Sequence, residues 1–304
     1  MTIALIAGTG DLPPLLAARL AEQGTPAVIC EMMGFASSVS GDFDRVPFRI
    51  ETLGTFLQTL KDRGVTQVCM AGAMRRPPVD PTAIDAATAP LVPRLMQAMA
   101  KGDDGTLREV VAIFTDNGFE VIGAHHIAPE LAPMAGTYTK AMPPDVSQDL
   151  AVAVTALAEM ARADLGQAML VRDGRVIARE DDRGTDALLG DFCAALEPSN
   201  GQGDPMGSLI EGAVDLAREF SDWLSGQDVT ADSLPAQGAF LYKAPKPGQL
   251  LLVDMPTIGV RTAMMAAEAG LAGIVIAEAG VLVLDLPQVI SVLDAQGMYL
   301  LVTP

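Results

Sequence analysis

The chain has 304 residues, 50% of them hydrophobic, and a formal net charge of -18. This length predicts two domains, each with enough apolar side chains for a full core. The acidic balance argues against nucleic acid as a partner, because a phosphate backbone needs a cationic face, and it also argues against broad adhesion to anionic lipid.

Cysteines and histidines are too few for several kinds of site. Cys30, Cys69 and Cys193 show no paired spacing, so we interpret them as thiols in a reducing compartment and neither as disulfides nor as zinc ligands. His125 and His126 are the only histidines. They exclude a multi-histidine metal site, and we expect a loop pair with a neutral, hydrogen-bonded ring.

The sequence predicts no membrane-spanning segment. The longest apolar region, Gly270–Leu293, is interrupted by Glu278, Asp285 and Pro287, so it lacks the roughly 20 apolar residues of a span. No basic residue precedes the short N-terminal apolar run, which argues against a signal peptide. We therefore expect a cytoplasmic protein with at most a transient, peripheral contact at the inner membrane. A homo-oligomer is compatible with the sequence.

Strands and helices alternate in the first part of the chain. Thr2–Ala7 is predicted as a buried strand. Further strands are predicted at 25–32, 67–71 and 119–124, and helices at 12–23, 51–63, 90–100 and 103–117. This alternation predicts an α/β domain over residues 1–135, Rossmann-like, with a mostly parallel sheet.

A glycine turn, Gly8-Thr9-Gly10-Asp11, lies between the first strand and the first helix. This order predicts an entrance for a phosphate or nucleotide, which Gly8, Gly10 and Asp11 would contact. An ordinary tight βα turn is about equally compatible with the pattern. Pro13 stands where the dinucleotide fingerprint has its third glycine.

Two charged pairs follow later in this domain. Arg75 and Arg76 come after the strand predicted at 67–71, where they could clamp a diphosphate; a solvated surface pair is the alternative. Asp103 and Asp104 stand at the start of a predicted helix, where acidic residues usually act as caps.

Prolines, glycine and polar residues between 129 and 147 predict a domain boundary. We expect a linker at 136–147 and a second domain at 148–304, mixed α/β. It is predicted to contain a helix at 149–164, a β-hairpin at Asp173-Gly174, strands at 273–277, 281–284 and 298–302, and a helix at 287–296. The acidic stretch 200–237, rich in Gly, Ser and Asp, is predicted to be an inserted arm.

The stretch FLYKAPKPGQLLLVDMPTIGVRT, residues 240–262, contains two lysines and an amide around a Pro-Gly turn. These residues are Lys243, Lys246 and Gln249. Such a concentration of cations beside a turn favours an anion-binding function.

The same stretch is predicted to contain a strand at 250–254 that ends in Asp254. Thr257 is predicted to cap the helix that follows. A carboxylate at the end of a buried strand, beside a helix N-terminus and fixed cations, is typical of a site for a metal and a phosphate.

Motifs of other chemistries are missing. The sequence contains no GxxxxGK[ST], GxSxG, HExxH or CxxC. Catalysis would therefore depend on carboxylates, cations and backbone amides, which suit phosphoryl or pyrophosphate chemistry.

Several segments together carry a resemblance to a known family. They are IAGTGDLP (6–13), AGAMRRP (71–77), GDD (102–104), GFEVIGAHHIAPELAP (118–133), DLGQAMLVRDGRVIARE (164–180), GTDALL (184–189), KAPKPGQLLLVDMPTIGVRT (243–262) and AGLAGIVIAEAGVLVLD (269–285). In this order the chain resembles the UDP-2,3-diacylglucosamine pyrophosphatase family of lipid A biosynthesis, of the LpxI type. KPGQ followed closely by D-x-P-T-x-G is the specific part.

This resemblance implies a function and a cofactor. The implied reaction is hydrolysis of the lipid nucleotide UDP-2,3-diacylglucosamine to UMP and 2,3-diacylglucosamine 1-phosphate, with a divalent metal, Mg²⁺. The resemblance also implies a ligand cleft between the two domains. The aspartate of D-x-P-T-x-G, here Asp254, is implied to be needed for activity.

With this resemblance we assign roles to four charged residues. Asp254 is expected to be a metal ligand or a base that orients water; a helix cap or salt bridge is the alternative. Asp186 is expected to be a second metal ligand or polar partner, and an acid at a helix start is its alternative. Lys243 and Lys246 would neutralise the diphosphate. Mg²⁺ suits one or two carboxylates plus phosphate oxygens and water.

The substrate is expected to be bound mainly by turns and helix N-termini. The expected contacts are Gly8, Gly10, Asp11, Arg75, Arg76, Thr185, Gln249, Thr257 and Gly259.

The chain differs from the family pattern at two places. Arg183 stands just before GTD, where the family usually has an acidic residue, so the chain must compensate for that acid or the acid was never essential. The arm at 200–237 is longer than expected.

Two other functions remain open. One is a non-catalytic module that binds a nucleotide or lipid with the same turns. The other is a nicotinamide enzyme, which Pro13 disfavours.

Overall fold

The computed structural model describes residues 1–74, 78–100, 102–196 and 238–304. Arg75, Arg76 and the arm predicted at 200–237 lie outside these described residues.

Strands and helices alternate along the described chain. The strands are β1 (Thr2–Ala7), β2 (Ala27–Met32), β3 (Asp44–Phe48), β4 (Val65–Ala71), β5 (Glu120–Ile122), β6 (Gly136–Thr137), β7 (Ala168–Arg172), β8 (Arg175–Arg179), β9 (Phe240–Lys243), β10 (Thr257–Ile258), β11 (Gly273–Ala277), β12 (Leu282–Val283) and β13 (Tyr299–Thr303). The α-helices are α1 (Leu12–Glu22), α2 (Leu53–Asp62), α3 (Val92–Met99), α4 (Gly102–Asp116), α5 (Ala124–Ile127), α6 (Ser147–Arg162), α7 (Thr185–Leu196), α8 (Val260–Glu268) and α9 (Leu286–Ala295).

The N-terminal sheet is parallel, as predicted. Among the described residues its strand order is β3-β2-β1-β4-β5, and every neighbouring pair is parallel. The prediction did not include β3, whose sequence DRVPF contains a proline. Proline is tolerated there because β3 is an edge strand. The strand order reverses between β1 and β4, which makes this position a topological switch point. Ligands bind at such switch points in open α/β sheets.

The C-terminal sheet is mixed, also as predicted. The described strands follow the order β6-β13-β11-β9-β7-β8. The central strands β9, β11 and β13 are parallel, and the outer strands pair antiparallel. The hairpin at Asp173-Gly174 is confirmed, with φ of 51° and 73° at these residues. Two positive φ angles are what a tight two-residue hairpin turn requires.

Both sheets are covered on two faces. The N-terminal sheet packs against α2, α3 and α4 on one side and against α1 and α5 on the other. The C-terminal sheet packs against α7, α8 and α9 on one side and against α6 on the other. Leu282 of β12 is buried in the N-terminal cluster around α1. The domains therefore share an apolar contact beside β12.

The stretch 240–262 folds differently from the prediction. Its long strand is β9, and residues 251–253 form a turn, so the strand predicted at 250–254 is wrong. The apolar side chains of this turn are half-buried at the boundary between the domains. A short apolar run does not distinguish a strand from a turn packed in this way, because burial rather than backbone preference selects these residues.

The cap predicted at Thr257 is also wrong. Thr257 belongs to β10, which pairs with β12, and its hydroxyl donates to the carbonyl of Met255 at 3.2 Å. Gly259 is the residue before α8, and it makes no side-chain cap. Because Thr257 and Ile258 pair with β12, the residue before the helix is Gly259 and not Thr257, two residues later than predicted.

The exact domain limits stay a prediction. Within the predicted linker, Gly136 and Thr137 already form β6 and pair with β13. Each helix of the described residues is too short or too polar to cross a membrane. Cys30 and Cys69 are fully buried, and burial raises the pKa of each thiol to about 12, so both thiols are inert side chains of the core.

Gly8 lets the ends of β1 and β4 approach each other. A Cβ added at Gly8 would lie 2.6 Å from the carbonyl oxygen of Ala73. We expect Gly8→Ala to lower the free energy of unfolding by about 1–3 kcal/mol, because two backbone segments must separate. Urea denaturation measures this change.

Gly190→Ala is the matched control, since a Cβ at this position of α7 would meet the Cε of Met265 only at 4.0 Å. Alanine favours a helix, so we expect equal or slightly higher stability. An unchanged stability in Gly8→Ala would contradict this account of the loop contact.

Candidate active site

A cleft of about 320 Å³ lies between the domains. The N-terminal domain lines it with residues 9–12, 70–73 and 124, and the C-terminal domain with residues 251–255, 257, 282 and 284. The D-x-P-T-x-G segment therefore faces the glycine turn of the other domain.

The glycine turn forms one wall of the cleft. Thr9 and Ala73 exchange backbone hydrogen bonds of 3.0 and 2.9 Å, which join the loops after β1 and β4. Gly10 has a φ of 100°, a left-handed value that favours glycine. Asp11 precedes α1 but makes no side-chain cap. The two loops of this wall are therefore held together by backbone hydrogen bonds.

Asp254 lies on the opposite wall and is exposed to the cleft. Its backbone amide donates to the carbonyl of Leu250 at 3.0 Å, which closes the turn. The side-chain nitrogen of Gln249 donates to the backbone oxygen and to Oδ2 of Asp254, both at 2.8 Å. Oε1 of Gln249 accepts from the amide of Lys246 at 2.8 Å. Gln249 thus holds the Asp254 carboxylate in a defined orientation.

Lys243 is the last residue of β9 and is only 7% exposed. Its ammonium donates to the hydroxyl of Thr185 at 2.8 Å, and that hydroxyl donates to Oε1 of Glu180 at 2.6 Å. Burial lowers the pKa of Lys243, and the charges of Glu180, Asp186 and Asp254 act in the opposite direction. Three carboxylates are therefore within electrostatic reach of one buried ammonium.

Glu180 was missed by the sequence analysis. It is 6% exposed, and its Oε2 accepts from the amide of Gln167 at 2.5 Å. A Cβ at Gly166 would lie 2.4 Å from the Glu180 side chain, so the glycine of DLGQ leaves room for this carboxylate. In the sequence Glu180 is the first of three consecutive acids, Glu180-Asp181-Asp182, so no local pattern singles it out.

Asp186 lies in the first turn of α7. Its Oδ2 is paired with Nε of Arg261 at 2.8 Å, and Arg261 is a second residue that the sequence analysis did not single out. Arg183 is paired with Asp181 at 2.7 Å and with Asp191 at 2.6 Å. The arginine that replaces the expected acid is thus held by two other carboxylates.

The sequence matches the LpxI N-terminal domain over residues 2–131 and the LpxI C-terminal domain over residues 134–301. The chain belongs to the LpxI family. It is 33% identical over 301 residues to the UDP-2,3-diacylglucosamine pyrophosphatase LpxI of Caulobacter vibrioides, a similarity that covers 98% of this chain and 96% of that protein. The two LpxI domains coincide with the two large sheets.

The remaining predicted residues of this LpxI chain have different surroundings. The ammonium of Lys246 is paired with Oδ1 of Asp164 at 3.2 Å. Arg75 and Arg76 are outside the described residues. Thr257 lines the cleft, and Gly259 stands before α8, close to the cleft residue Leu284.

The two histidines belong to α5 and not to a loop as expected. The amide of Gly123 donates to Nδ1 of His126 at 3.2 Å. Within the described part of the chain, Nδ1 of His125 is buried without a hydrogen-bond partner. Burial, with a smaller effect of His126, lowers the pKa of His125, which favours a neutral ring.

The carboxylates of Asp254 and Asp186 are the candidate ligands for Mg²⁺, which prefers oxygen ligands. The described residues contain no group of three or more His, Cys, Asp or Glu side chains that could hold a metal. Asp254 and Asp186 each have one oxygen held, by Gln249 and Arg261 respectively. Each carboxylate thus has a second oxygen, and carboxylate oxygens are ligands of the kind that Mg²⁺ prefers.

The Thr185 hydroxyl joins the Lys243 ammonium to Glu180. We expect Thr185→Val to lower the free energy of unfolding by about 1–3 kcal/mol, because it leaves buried charged groups without this partner. Thermal or urea unfolding measures the effect. Thr155→Val on the exposed side of α6 is the control and should change stability little. Equal stabilities of both variants would refute this role of Thr185.

Proposed function

We propose that this chain hydrolyses the pyrophosphate bond of UDP-2,3-diacylglucosamine, which gives UMP and 2,3-diacylglucosamine 1-phosphate. The relative from Caulobacter vibrioides carries the name of this activity and is similar over nearly the full length. The structural observation behind the proposal is the exposed Asp254 in a cleft between the two domains, within electrostatic reach of the Lys243 ammonium.

Hydrolysis consumes one water. The oxygen of this water bonds to one phosphorus, the bridging oxygen leaves with the other phosphorus, and a proton must be accepted. Asp254 is suited to orient the water and accept this proton, since Gln249 fixes its carboxylate. Lys243 is buried and bonded to Thr185, so we infer that it acts through its charge, which stabilises developing negative charge in the cleft.

Backbone amides on both walls suit the phosphates. Pro13 and Pro14 have no N–H. The amide of Gly8 donates to Ala71 at the end of β4, and that of Thr9 to Ala73 in the loop after it, so Gly10 is the first residue of this turn whose amide we assign to the substrate. We also assign to it the amide and side chain of Asp11. On the other wall the substrate would meet Thr257 and the N-terminus of α8 behind Gly259. Arg75 and Arg76 follow β4, whose end lines the cleft, and remain in the proposal as diphosphate ligands.

The proposal also assigns roles to Lys246, Gln249 and Thr185. Lys246 would leave Asp164, an exposed partner, to neutralise the diphosphate. The side chain of Gln249 is already bonded within the turn. Gln249 would therefore contribute to substrate binding only indirectly, by orienting Asp254. Thr185 would contribute by holding Lys243.

Mg²⁺ is the proposed cofactor, with Asp254 and Asp186 as its protein ligands. When bound, such an ion neutralises charge on a diphosphate and acts as a Lewis acid. Because the substrate joins a nucleotide to acyl chains, we also propose a cytoplasmic enzyme that makes a transient peripheral contact with the inner membrane.

Asp254 can be tested by a nearly isosteric change. We expect Asp254→Asn to reduce UMP release by roughly 100-fold or more, because the variant lacks a proton acceptor at that place. The measurement is the initial rate with purified lipid nucleotide and Mg²⁺. Asp62→Asn, an exposed change on α2, is the control and should keep the wild-type rate. Full activity of Asp254→Asn with an intact fold would remove Asp254 from the mechanism.

The metal is tested separately from the hydrolysis. We expect a chelator to abolish UMP release and added Mg²⁺ to restore it, since the two carboxylates repel the anionic diphosphate unless a cation lies between them. A rate that does not respond to the chelator would refute the cofactor but not the reaction. Lasting binding of the lipid nucleotide without turnover, with Mg²⁺ present, would instead favour the non-catalytic binding module.

A further inference from the structure

Arg108 connects the N-terminal domain to the turn that precedes Asp254. It lies on α4, and its Nη2 donates to the backbone carbonyl of Gly248, 140 residues further along the chain. Its Nε donates to Oδ2 of Asp104 at 2.7 Å, and Nη2 also contacts Oδ1 of Asp104 at 3.3 Å. One guanidinium therefore holds a carboxylate of its own helix and a carbonyl of the other domain.

The contact with Gly248 leads directly to the candidate catalytic carboxylate. Gly248 has a φ of 81°, and its left-handed conformation directs the chain into Gln249. The Gln249 side chain then bonds both Oδ2 and the backbone oxygen of Asp254. A shift of the Gly248 carbonyl would therefore move Gln249 and rotate Asp254.

We propose that Arg108 is a positioning residue, which fastens the N-terminal domain to the Lys246–Asp254 turn and thereby sets Asp254 against the glycine turn. Asp104, the last residue of GDD, orients the guanidinium from one helical turn away. A guanidinium suits this task, because its planar fork bonds two acceptors in a fixed geometry, as an ammonium does not.

Exposure determines which effect should be measured. The Arg108 and Asp104 side chains are 48% and 56% exposed, so their ion pair adds little to global stability. The contact should instead affect the local order of the turn and the placement of Asp254. Overall unfolding is therefore a poor test, and local exchange and kinetics are better ones.

Hydrogen exchange tests the contact without any substrate. We expect Arg108→Met to raise amide exchange in the peptide spanning residues 246–254 by roughly threefold to tenfold, because a charge-assisted hydrogen bond is lost at an exposed position. Arg94→Met is the matched control: Arg94 binds Glu109 and Asp116 within the same domain. It should leave that peptide unchanged. Wild-type exchange of the peptide in Arg108→Met would overturn the proposal.

Kinetics test the consequence for Asp254, and this second measurement rests on the proposed function. We expect kcat of Arg108→Met to fall about tenfold or more with little change in KM, because a small displacement of a reacting group is costly. Arg108→Lys, which keeps a donor, should restore part of kcat. A raised KM at unchanged kcat would overturn the positioning role in favour of direct substrate binding.

The exchange and kinetic measurements together distinguish failure of the inference from failure of the proposed function. If the wild-type chain releases no UMP, the proposed function fails, and the exchange measurement still decides the role of Arg108. If wild-type activity is present but both exchange and kinetics of Arg108→Met match the wild type, only the inference fails.

Discussion

The buried ammonium of Lys243 is the constraint on which the candidate site depends. A charge in the interior is costly unless other groups bond and neutralise it. The chain meets part of this requirement with the Thr185 hydroxyl and with the charges of Glu180, Asp186 and Asp254, while burial still lowers the pKa of Lys243. These groups come from the end of β8, from α7 and from the turn before β10. The groups that stabilise the buried Lys243 ammonium are therefore mostly acidic, and they lie where we propose that a metal and a phosphate bind.

The opposite wall of the cleft solves a different problem. A chain with a net charge of -18 must attract an anionic diphosphate locally. The joined loops after β1 and β4 leave no space for a side chain at Gly8, so the wall presents backbone. Backbone amides at a turn and a helix start attract phosphate without needing further cations. The acidic wall and the amide wall are thus complementary in charge.

The sequence predicted the architecture better than the site. The apolar runs that form parallel strands, and the hairpin at Asp173-Gly174, are local signals, and the structure confirms both. The apolar run at 250–254 misled, because its burial comes from another domain and not from a sheet. Glu180 and Arg108 could not be identified locally, since each matters through a group distant in sequence, the Lys243 ammonium for Glu180 and the Gly248 carbonyl for Arg108.

The position of Asp104 shows how a conventional local interpretation can conceal a long-range role. An acid in the first turn of a helix is fully explained by the helix dipole, and the sequence offers no reason to ask for more. The structure adds that the same carboxylate holds Arg108, which contacts the turn leading to Asp254. GDD and KPGQ, which lie in different domains, are thus in contact through a single guanidinium.

The relative placement of the two walls then depends on side chains within the motifs, as well as on the apolar contact around Leu282. An apolar contact tolerates sliding, whereas a guanidinium that bonds both a carboxylate and a backbone carbonyl defines a register, and the hydrolysis that we propose at this cleft depends on that register.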